Sequence, residues 1–521
     1  MIGKVLSNTL KNKKKFIAVI DQGTTSTRSV LFDIKGKVLF KSQLEIKQYF
    51  PRNGWVEHNP EEIWKTVKKT LNKVINKSKK MRGQILTIGI TNQRETTILW
   101  DRITGKPVYN AIVWQDRRTE NFCNKHRTHK RENIIRKKTG LIIDPYFSAT
   151  KIKWIIENIP KTKKLLKEKR LLFGTIDTFL LWRLTKGKSH LTDATNASRT
   201  MLYNINTNKW DNEILKSLKI PHHILPKIKN SSDNFGSTEK SITGKSYSIT
   251  GVVGDQQSAT IGQCCFTRGS VKCTYATGAF VLMNTGSRKM YSKNQLLTTV
   301  CYRLNNKSTY ALEGSIFIAG AGIQWIRDKM KLIKKARDTE KIVKSIKSNS
   351  GVYLVPAFVG LGAPYWNSKV RGIITGITRN TAPKEIIRAA LESSAYQSHD
   401  LFNAMKHDGL YPKYIKIDGG MVKNNWFCQF LSNIVNIKTY RAQVDEATAL
   451  GSAFLAGLKI GLYKSLNDIE KKWKVDRIFK PKFSTLYRKK LLEGWSKSIS
   501  KTLIHYLFWY KEKQSALSSA G

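Results

Sequence analysis

A carboxylate, a glycine and a run of hydroxyls stand together at Asp21-Gln22-Gly23-Thr24-Thr25-Ser26-Thr27-Arg28. Backbone N–H groups and the small hydroxyls of Thr24, Thr25 and Ser26 suit an anion, and Arg28 adds positive charge. Asp21 conflicts with an anion unless a cation lies between the two. A nucleotide carrying Mg²⁺ removes the conflict, because Mg²⁺ shares its shell between water, one or two carboxylates and phosphate oxygens. Half a chain away, Ala276-Thr277-Gly278 repeats the Thr/Gly part of this chemistry.

The elements that position these residues follow from the flanking pattern. Residues 16–20 and 29–32 are short apolar runs, β-branched or aromatic, so the first segment reads as the tip of a hairpin. Residues 270–275 and 279–283 frame the second tip in the same way. Two hairpins offering phosphate-binding turns to one cleft resemble the layout of the actin-like (ribonuclease H-like), hexokinase-like and heat-shock ATPase folds. Rival motifs fail on spacing. Gly244-Lys245-Ser246 would end a P-loop, but Glu239 occupies its first glycine position. Gly320-Ala321-Gly322 would begin a dinucleotide fingerprint, but Trp325 occupies the third.

Strand-like runs alternate with helical stretches along the rest of the chain, which is an α/β pattern. Strands are expected at residues 85–90, 98–100 and 414–417 and in a run closing at Gly254. Helices are expected at 256–262, 383–405 and 424–435. The division falls near Gly262, giving halves 1–262 and 263–521 with a nucleotide and substrate cleft between two actin-like domains. No low-complexity linker marks the boundary, so a hinge between packed domains is expected.

The 521 residues are 40% hydrophobic, with a mean hydropathy of −0.38, as in a globular protein with a large core. No apolar run reaches the length of a membrane span, and residues 1–15, though basic, lack the pattern of a secretory signal. Cys123, Cys264, Cys265, Cys273, Cys301 and Cys428 form neither a disulfide framework nor a zinc pattern. Reduced thiols in the cytoplasm are the expectation. The formal charge of +55, from 92 Lys+Arg against 37 Asp+Glu, is extreme. It would suit nucleic acid or an anionic membrane. The lysines, however, are spread over helix faces (Lys65, Lys68, Lys69, Lys73; Lys161, Lys163, Lys164, Lys167), and no nucleic-acid motif accompanies them. Surface drift is the reading, with no specific nucleic acid as partner and no membrane insertion.

Several segments together resemble the FGGY family of carbohydrate kinases, from about Phe16 to Trp495. They are Asp21-Gln22-Gly23-Thr24-Thr25-Ser26, Gly54-Trp55-Val56-Glu57-His58, Thr195-Asn196-Ala197-Ser198-Arg199-Thr200-Met201, Gly254-Asp255-Gln256-Gln257, Gly360-Leu361-Gly362-Ala363-Pro364-Tyr365-Trp366 and Asp418-Gly419-Gly420. Two more, Thr91-Asn92-Gln93-Arg94-Glu95-Thr96-Thr97 and Ile142-Ile143-Asp144-Pro145-Tyr146-Phe147-Ser148, resemble the glycerol-phosphorylating members in particular.

The resemblance implies ATP-dependent phosphorylation of glycerol, with Mg²⁺ and a homo-oligomer, dimer or tetramer. It assigns Arg94, Glu95, Tyr146, Asp255 and Gln256 to glycerol, and Trp114, Tyr146 and Phe280 can pack on its C–H edges. Asp255 is the expected base, since phosphoryl transfer needs a group to accept the hydroxyl proton. In isolation it would read as a helix N-cap, and Arg94–Glu95 as a surface ion pair. Thr24, Thr25, Ser26, Arg28, Thr277 and Gly278 are expected on the phosphates, and Asp21 on Mg²⁺ through water. Gly320 with Gln324, and Gly420 with Asn424, repeat a glycine-to-amide spacing that the resemblance places at the adenosine. Ala276 stands where the family usually has glycine, and a left-handed φ there would strain the turn. The alternatives are another sugar or polyol kinase of the family, and a non-catalytic basic binding protein of the same fold.

Overall fold

The computed structural model describes residues 14–367, 369–443 and 446–518, with side chains up to residue 504. Most of the basic N-terminal stretch therefore lies outside the described residues. A first sheet contains β1 (Lys14–Gln22), β2 (Ser26–Asp33), β3 (Val38–Glu45), β4 (Gly83–Asn92) and β5 (Ile249–Gly254), in the order β5-β4-β1-β2-β3. β1 and β2 form the expected hairpin, with Gln22 opposite Thr27. Ser26, placed at the tip by sequence, is instead the first residue of β2. β4 runs parallel to β1, and β5 parallel to β4. Phe16 to Ile20 are buried throughout, as a central strand covered on both faces requires.

One face of this sheet is covered by α1 (Pro60–Lys80). Asn59 caps it, accepting from the Glu61 and Glu62 N–H groups, and Pro60 starts its first turn. Ile63, Val67, Leu71 and Val74 line its buried face at helical spacing, while Lys65, Lys68, Lys69 and Lys73 stay exposed.

The second sheet contains β6 (Val271–Tyr275), β7 (Ala279–Gly286), β8 (Leu297–Leu304), β9 (Lys307–Ile316), β10 (Tyr414–Asp418), β11 (Lys438–Ala442) and β12 (Val475–Phe479). Their order is β8-β9-β7-β6-β10-β11-β12. The plan of the first sheet recurs: a hairpin, β6–β7, with a parallel strand, β10, on the outer side of its first strand. The helices α4 (Gly320–Asp328), α5 (Pro383–His407) and α6 (Asn425–Val435) accompany it.

Two helices lie between the sheets. α3 (Asp255–Gly262) leaves the end of β5, and α7 (Ala447–Lys459), from the second half of the chain, packs on β5, β4 and β1. A single apolar cluster joins Val19, Val30 and Val253 of the first sheet to Ala449, Ala453 and Phe454 of α7 and to Leu282 and Ala311 of the second sheet. The contact is close: a Cβ on Gly89 would fall 2.8 Å from the Ser452 carbonyl oxygen. The halves thus share an interior. A further short helix, α2 (Ala194–Ala197), is capped by Asp193 and packs near β8.

Candidate active site

Parallel pairing brings three chain segments to one edge. Asp21 lies beside Thr91 in the β1–β4 ladder, and Gly254 lies beside Asn92 in the β5–β4 ladder. Asp21, the Asn92–Glu95 turn and Asp255 therefore emerge together at the carboxyl ends of β1, β4 and β5, the end where open α/β sheets bind ligands.

Arg94 and Glu95 are not a surface pair. Both are buried, at 2% and 1% exposure. The Arg94 guanidinium donates to both carboxylate oxygens of Glu313 on β9, at 2.6 and 2.9 Å. It also donates to Gln257 Oε1 at 3.2 Å and to the Tyr146 hydroxyl at 3.4 Å, and its Nε lies 3.3 Å from Asp255 Oδ1. Glu95 accepts from Arg199 Nε at 2.5 Å, and Arg199 Nη2 is 3.0 Å from Glu313. Two arginines and two glutamates form one buried cluster spanning both halves. Burial raises the Glu313 carboxyl, but Arg199 and Arg94 more than reverse this and hold it at about 2. Glu95 is raised by burial, with Arg94 and Arg199 pulling it back. Glu95 also adopts a left-handed φ of +59°, an uncommon conformation for a side-chain-bearing residue. Its carbonyl accepts from the Ser148 hydroxyl at 2.9 Å and the Thr97 hydroxyl at 3.1 Å, which hold the turn.

The aromatic residues form one wall. Trp114 meets Tyr146 edge-on at 5.7 Å and Phe280, from β7, at 6.1 Å. Its indole N–H donates to the Thr24 hydroxyl at 2.9 Å, which ties the wall to the first hairpin.

Asp255 is the first residue of α3, and Gly254 is the cap, so the N-cap reading is corrected. Its side chain is 25% exposed and accepts from its neighbour's N–H, Gln256 N, at 2.7 Å. Its carboxyl is raised because burial strips it of water; Arg94, the Gln256 N–H and Lys272 oppose the rise, and Asp21 adds to it. A base with a raised pKa is better matched to neutral pH than an ordinary carboxylate. The Gln256 side-chain oxygen accepts from Lys272 at 2.7 Å.

Arg28 is paired within the chain. It lies 2.9 Å from Asp21 Oδ2 and 3.2 Å from Glu446, whose other oxygen takes Lys41 at 2.6 Å. The reason is burial: Asp21 sits at 1% exposure, and a buried carboxylate needs a cation beside it. Burial raises Asp21, Arg28 lowers it, and Glu446 raises it again. The Arg28 contact lacks hydrogen-bond alignment, so Asp21 Oδ2 has no hydrogen bond. A buried, unbonded carboxylate oxygen fits the hard-oxygen preference of Mg²⁺. Among the described residues no three His, Cys, Asp or Glu are grouped to hold a metal. A cation beside Asp21 would complete its shell with water and phosphate oxygens.

The second hairpin tip is more open. Ala276 and Thr277 are exposed. Ala276 is not among the residues with positive φ, so its methyl introduces no strain. The tip rests on the start of α4: Gly320 N donates to the Ala276 carbonyl at 2.9 Å, and Ala321 N to that of Thr277 at 2.9 Å. A Cβ on Gly320 would fall 2.4 Å from the Ala276 oxygen, and one on Gly278 2.7 Å from that of Ile316. Gln324 lies exposed one turn along α4. At the other glycine pair, Gly419 carries the constraint, with φ +98° and Tyr275 O 2.3 Å from a notional Cβ. Gly420 faces open space. Asn424 caps α6, accepting from Phe427 N at 2.9 Å and donating to Thr339 at 3.2 Å, so its amide is already engaged. A cavity of about 290 Å³ beside this turn is lined by Asp418, Gly419, Val422, Arg441 and Gln443.

Sequence reasoning missed Glu313, Arg199 and Lys272. A charged residue inside an apolar strand run, as in Tyr310-Ala311-Leu312-Glu313 and Val271-Lys272-Cys273, was the available signal, because such residues are rarely buried unless partnered.

Comparison with known proteins agrees with this geometry. The model of the FGGY family of carbohydrate kinases, N-terminal domain, matches residues 16–262, and that of the C-terminal domain matches residues 271–460. A glycerol kinase of Marinomonas sp. (strain MWYL1) is 51% identical over 486 residues, 93% of this chain and 98% of that protein. One from Petrotoga mobilis is 49% identical over 501 residues, 96% of this chain and 100% of that protein. The structure of Plasmodium falciparum glycerol kinase with ADP superposes with a TM-score of 0.89 at 41% identity, covering 94% of this chain and 99% of that one. A xylulose kinase from Lactobacillus acidophilus shares the fold, with a TM-score of 0.82 at 22% identity over 97% of this chain and 98% of that one. With both of its domain models matched in order, and with relatives aligned along nearly its whole length, this chain belongs to the FGGY family of carbohydrate kinases.

Proposed function

We propose that this chain transfers the terminal phosphoryl group of ATP to a primary hydroxyl of glycerol, giving sn-glycerol 3-phosphate and ADP. The observation that carries the reading is the placement of Asp255. Its partly exposed carboxylate stands 3.3 Å from Arg94, at the edge of the buried charge cluster, and the same guanidinium reaches the hydroxyl of Tyr146 in the aromatic wall at 3.4 Å. A glycerol hydroxyl beside it would lose its proton to Asp255 as its oxygen attacks phosphorus. Gln256 and Tyr146 would hold the remaining hydroxyls, and Trp114 and Phe280 would cover the C–H edges. Arg94 acts chiefly through the cluster that fixes this wall, since Glu313 takes both terminal nitrogens of its guanidinium. Glu95, bonded to Arg199 through Oε1, would offer its other oxygen to glycerol. Thr24, Thr25, Thr277 and Gly278 face the phosphates. Bound Mg²⁺ beside Asp21 would neutralise phosphate charge. Gly320 and Gln324 would receive the adenosine. The relatives named as glycerol kinases, at about half identity, support the substrate, and the ADP in the Plasmodium structure supports the nucleotide.

No helix among the described residues is long and apolar enough to cross a membrane. The six thiols are free and buried, which suits a cytoplasmic location, and a dimer or tetramer is expected. The test is ADP release with MgATP over glycerol, glyceraldehyde, dihydroxyacetone, xylulose and gluconate, with the product identified by ³¹P NMR. Glycerol should give the highest kcat/KM, and a faster pentulose or gluconate would overturn the assignment.

A further inference from the structure

Lys272, on β6, is fully buried, and among the described residues no carboxylate forms an ion pair with it. Its hydrogen bond is to Gln256 Oε1, at 2.7 Å. A buried ammonium so poorly partnered is costly, and its neighbour shows the ordinary remedy. Lys416 lies beside it in the parallel β6–β10 ladder. Lys416 donates to the carbonyls of Gln263 and Cys264 at the end of α3, at 2.8 and 3.2 Å, and sits 3.9 Å over the Trp473 ring. A cation at a helix C-terminus is favoured. Lys272 meets the same helix at its second residue, near the N-terminus, where a cation is disfavoured. That contact accounts for Lys416; Lys272 faces carboxylates without an ion pair among the described residues and spends its hydrogen bond on Gln256, a residue beside the proposed base.

An ammonium can only donate, whereas an amide has one end that accepts and one that donates. The contact with Lys272 therefore fixes which end of Gln256 points inward. Gln256 is half-buried, and its Nε2 has no hydrogen bond among the described residues. The adjacent Asp255 presents an acceptor. Together the two residues offer one acceptor and one donor side by side, complementary to a vicinal pair of hydroxyls. One hydroxyl would donate to Asp255, and the next would accept from Gln256.

We infer that Lys272 is a positioning residue: its buried ammonium, bonded to Gln256, holds that amide with the donor end toward the substrate and places a positive charge behind Asp255. The inference rests on the proposed glycerol reading. Facing Asp255 are Arg94 from the turn after β4, Asp21 from β1 and Lys272 from β6. Burial lowers the Lys272 pKa; Asp418 on β10 and Asp255, which face it, oppose the fall, Arg94 adds to it, and Glu313 on β9 senses its charge. The thiols of Cys265, Cys273 and Cys301 are also near, but burial pushes all three up, Cys265 to about 11, so they remain neutral.

The test is Lys272→Met in the full chain, assayed with glycerol and MgATP. The KM for glycerol should rise about tenfold, the cost of a misoriented hydrogen bond, with the KM for ATP nearly unchanged. The acid limb of kcat/KM should move to higher pH by about one pH unit, because Asp255 loses a positive neighbour. Lys272→Gln keeps a donor but not the charge. It should recover much of the glycerol KM and keep the shifted limb, a separation that a merely structural role would not produce. An acid limb at the parental pH in either folded variant overturns the inference, as does an unchanged glycerol KM in Lys272→Met. If Lys272→Met does not fold, the limb in Lys272→Gln decides. A parent protein inactive on glycerol would instead fail the functional reading beneath it.

Discussion

The two sides of the cleft are built on opposite principles. On the acceptor side, Arg94, Glu95, Arg199 and Glu313 are each at most 2% exposed and bond to one another across the halves. On the side we propose for the nucleotide, Thr277, Gln324 and Gly420 are exposed, and what is fixed there is backbone, held by Gly320 against Ala276 and by Gly419 against Tyr275. A three-carbon acceptor offers few contacts, so its recognition needs donors and acceptors set in advance in a site of low dielectric. Phosphates and adenine offer large surfaces and strong charge, and exposed N–H groups and a flat approach suffice for them. Changes that break the buried cluster should therefore alter chemistry and stability together, whereas changes on the other side should alter ATP affinity and spare glycerol.

The largest effect should come from Asp255→Asn. An amide cannot accept the hydroxyl proton, and loss of a general base typically costs about 10²–10⁴-fold in kcat. Thermal stability and ATP affinity, measured by differential scanning calorimetry and nucleotide titration, should stay near the parent. Near-parental kcat would place the base elsewhere.

Next is Arg94→Ala, which leaves the Glu313 carboxylate buried without its bidentate partner. Arg199 remains 3.0 Å from Glu313, so the cost falls below that of a fully stranded buried charge, about 3–5 kcal/mol, and the melting temperature should still fall along with kcat/KM for glycerol. Arg94→Met combined with Glu313→Met removes both charges and should be more stable than Arg94→Ala while remaining inactive. If Arg94→Ala melted like the parent, the cluster would not be the scaffold described.

Gly320→Ala should act only on the nucleotide. A methyl 2.4 Å from the Ala276 carbonyl must displace the hairpin tip, at a cost of about 1–3 kcal/mol, seen as a higher KM for ATP with the glycerol KM unchanged. Gly420→Ala meets open space and should leave stability within about 0.5 kcal/mol, so any rise in its ATP KM reports contact with nucleotide.

Much of this layout was legible in the sequence. The two hairpins and the strand–helix passages at Asp255 and Asp418 follow from local apolar runs and turn residues, and the structure has them. The acceptor residues were reachable through the family resemblance. The partners were not: Glu313 lies 219 positions from Arg94, and no local pattern reports a contact made between halves. Arg28 and Asn424 show the converse. Their types and spacing suit phosphate and adenosine, yet burial of Asp21 and the need for a cap on α6 engage them first.

A modest effect is expected on the pH dependence of stability. His58 is buried beside Gln93, 3.3 Å from its amide, and burial lowers its pKa from 6.5 to about 4. The fold thus prefers neutral imidazole. Its contribution to stability is whole above pH 6.5 and is lost progressively as pH falls toward 4. Between about pH 7.5 and about pH 5.5 the loss should be roughly 1 kcal/mol, and His58→Gln should flatten that part of the stability curve.

If the acceptor side is assembled by the protein alone, glycerol should bind before any nucleotide is present. Isothermal titration of nucleotide-free protein with glycerol, and separately with xylulose, measures this. Saturable binding of one glycerol per chain, with no detectable heat from xylulose, is predicted. Binding of glycerol only after nucleotide is added, or equal binding of both compounds, would contradict a preformed, glycerol-selective acceptor site.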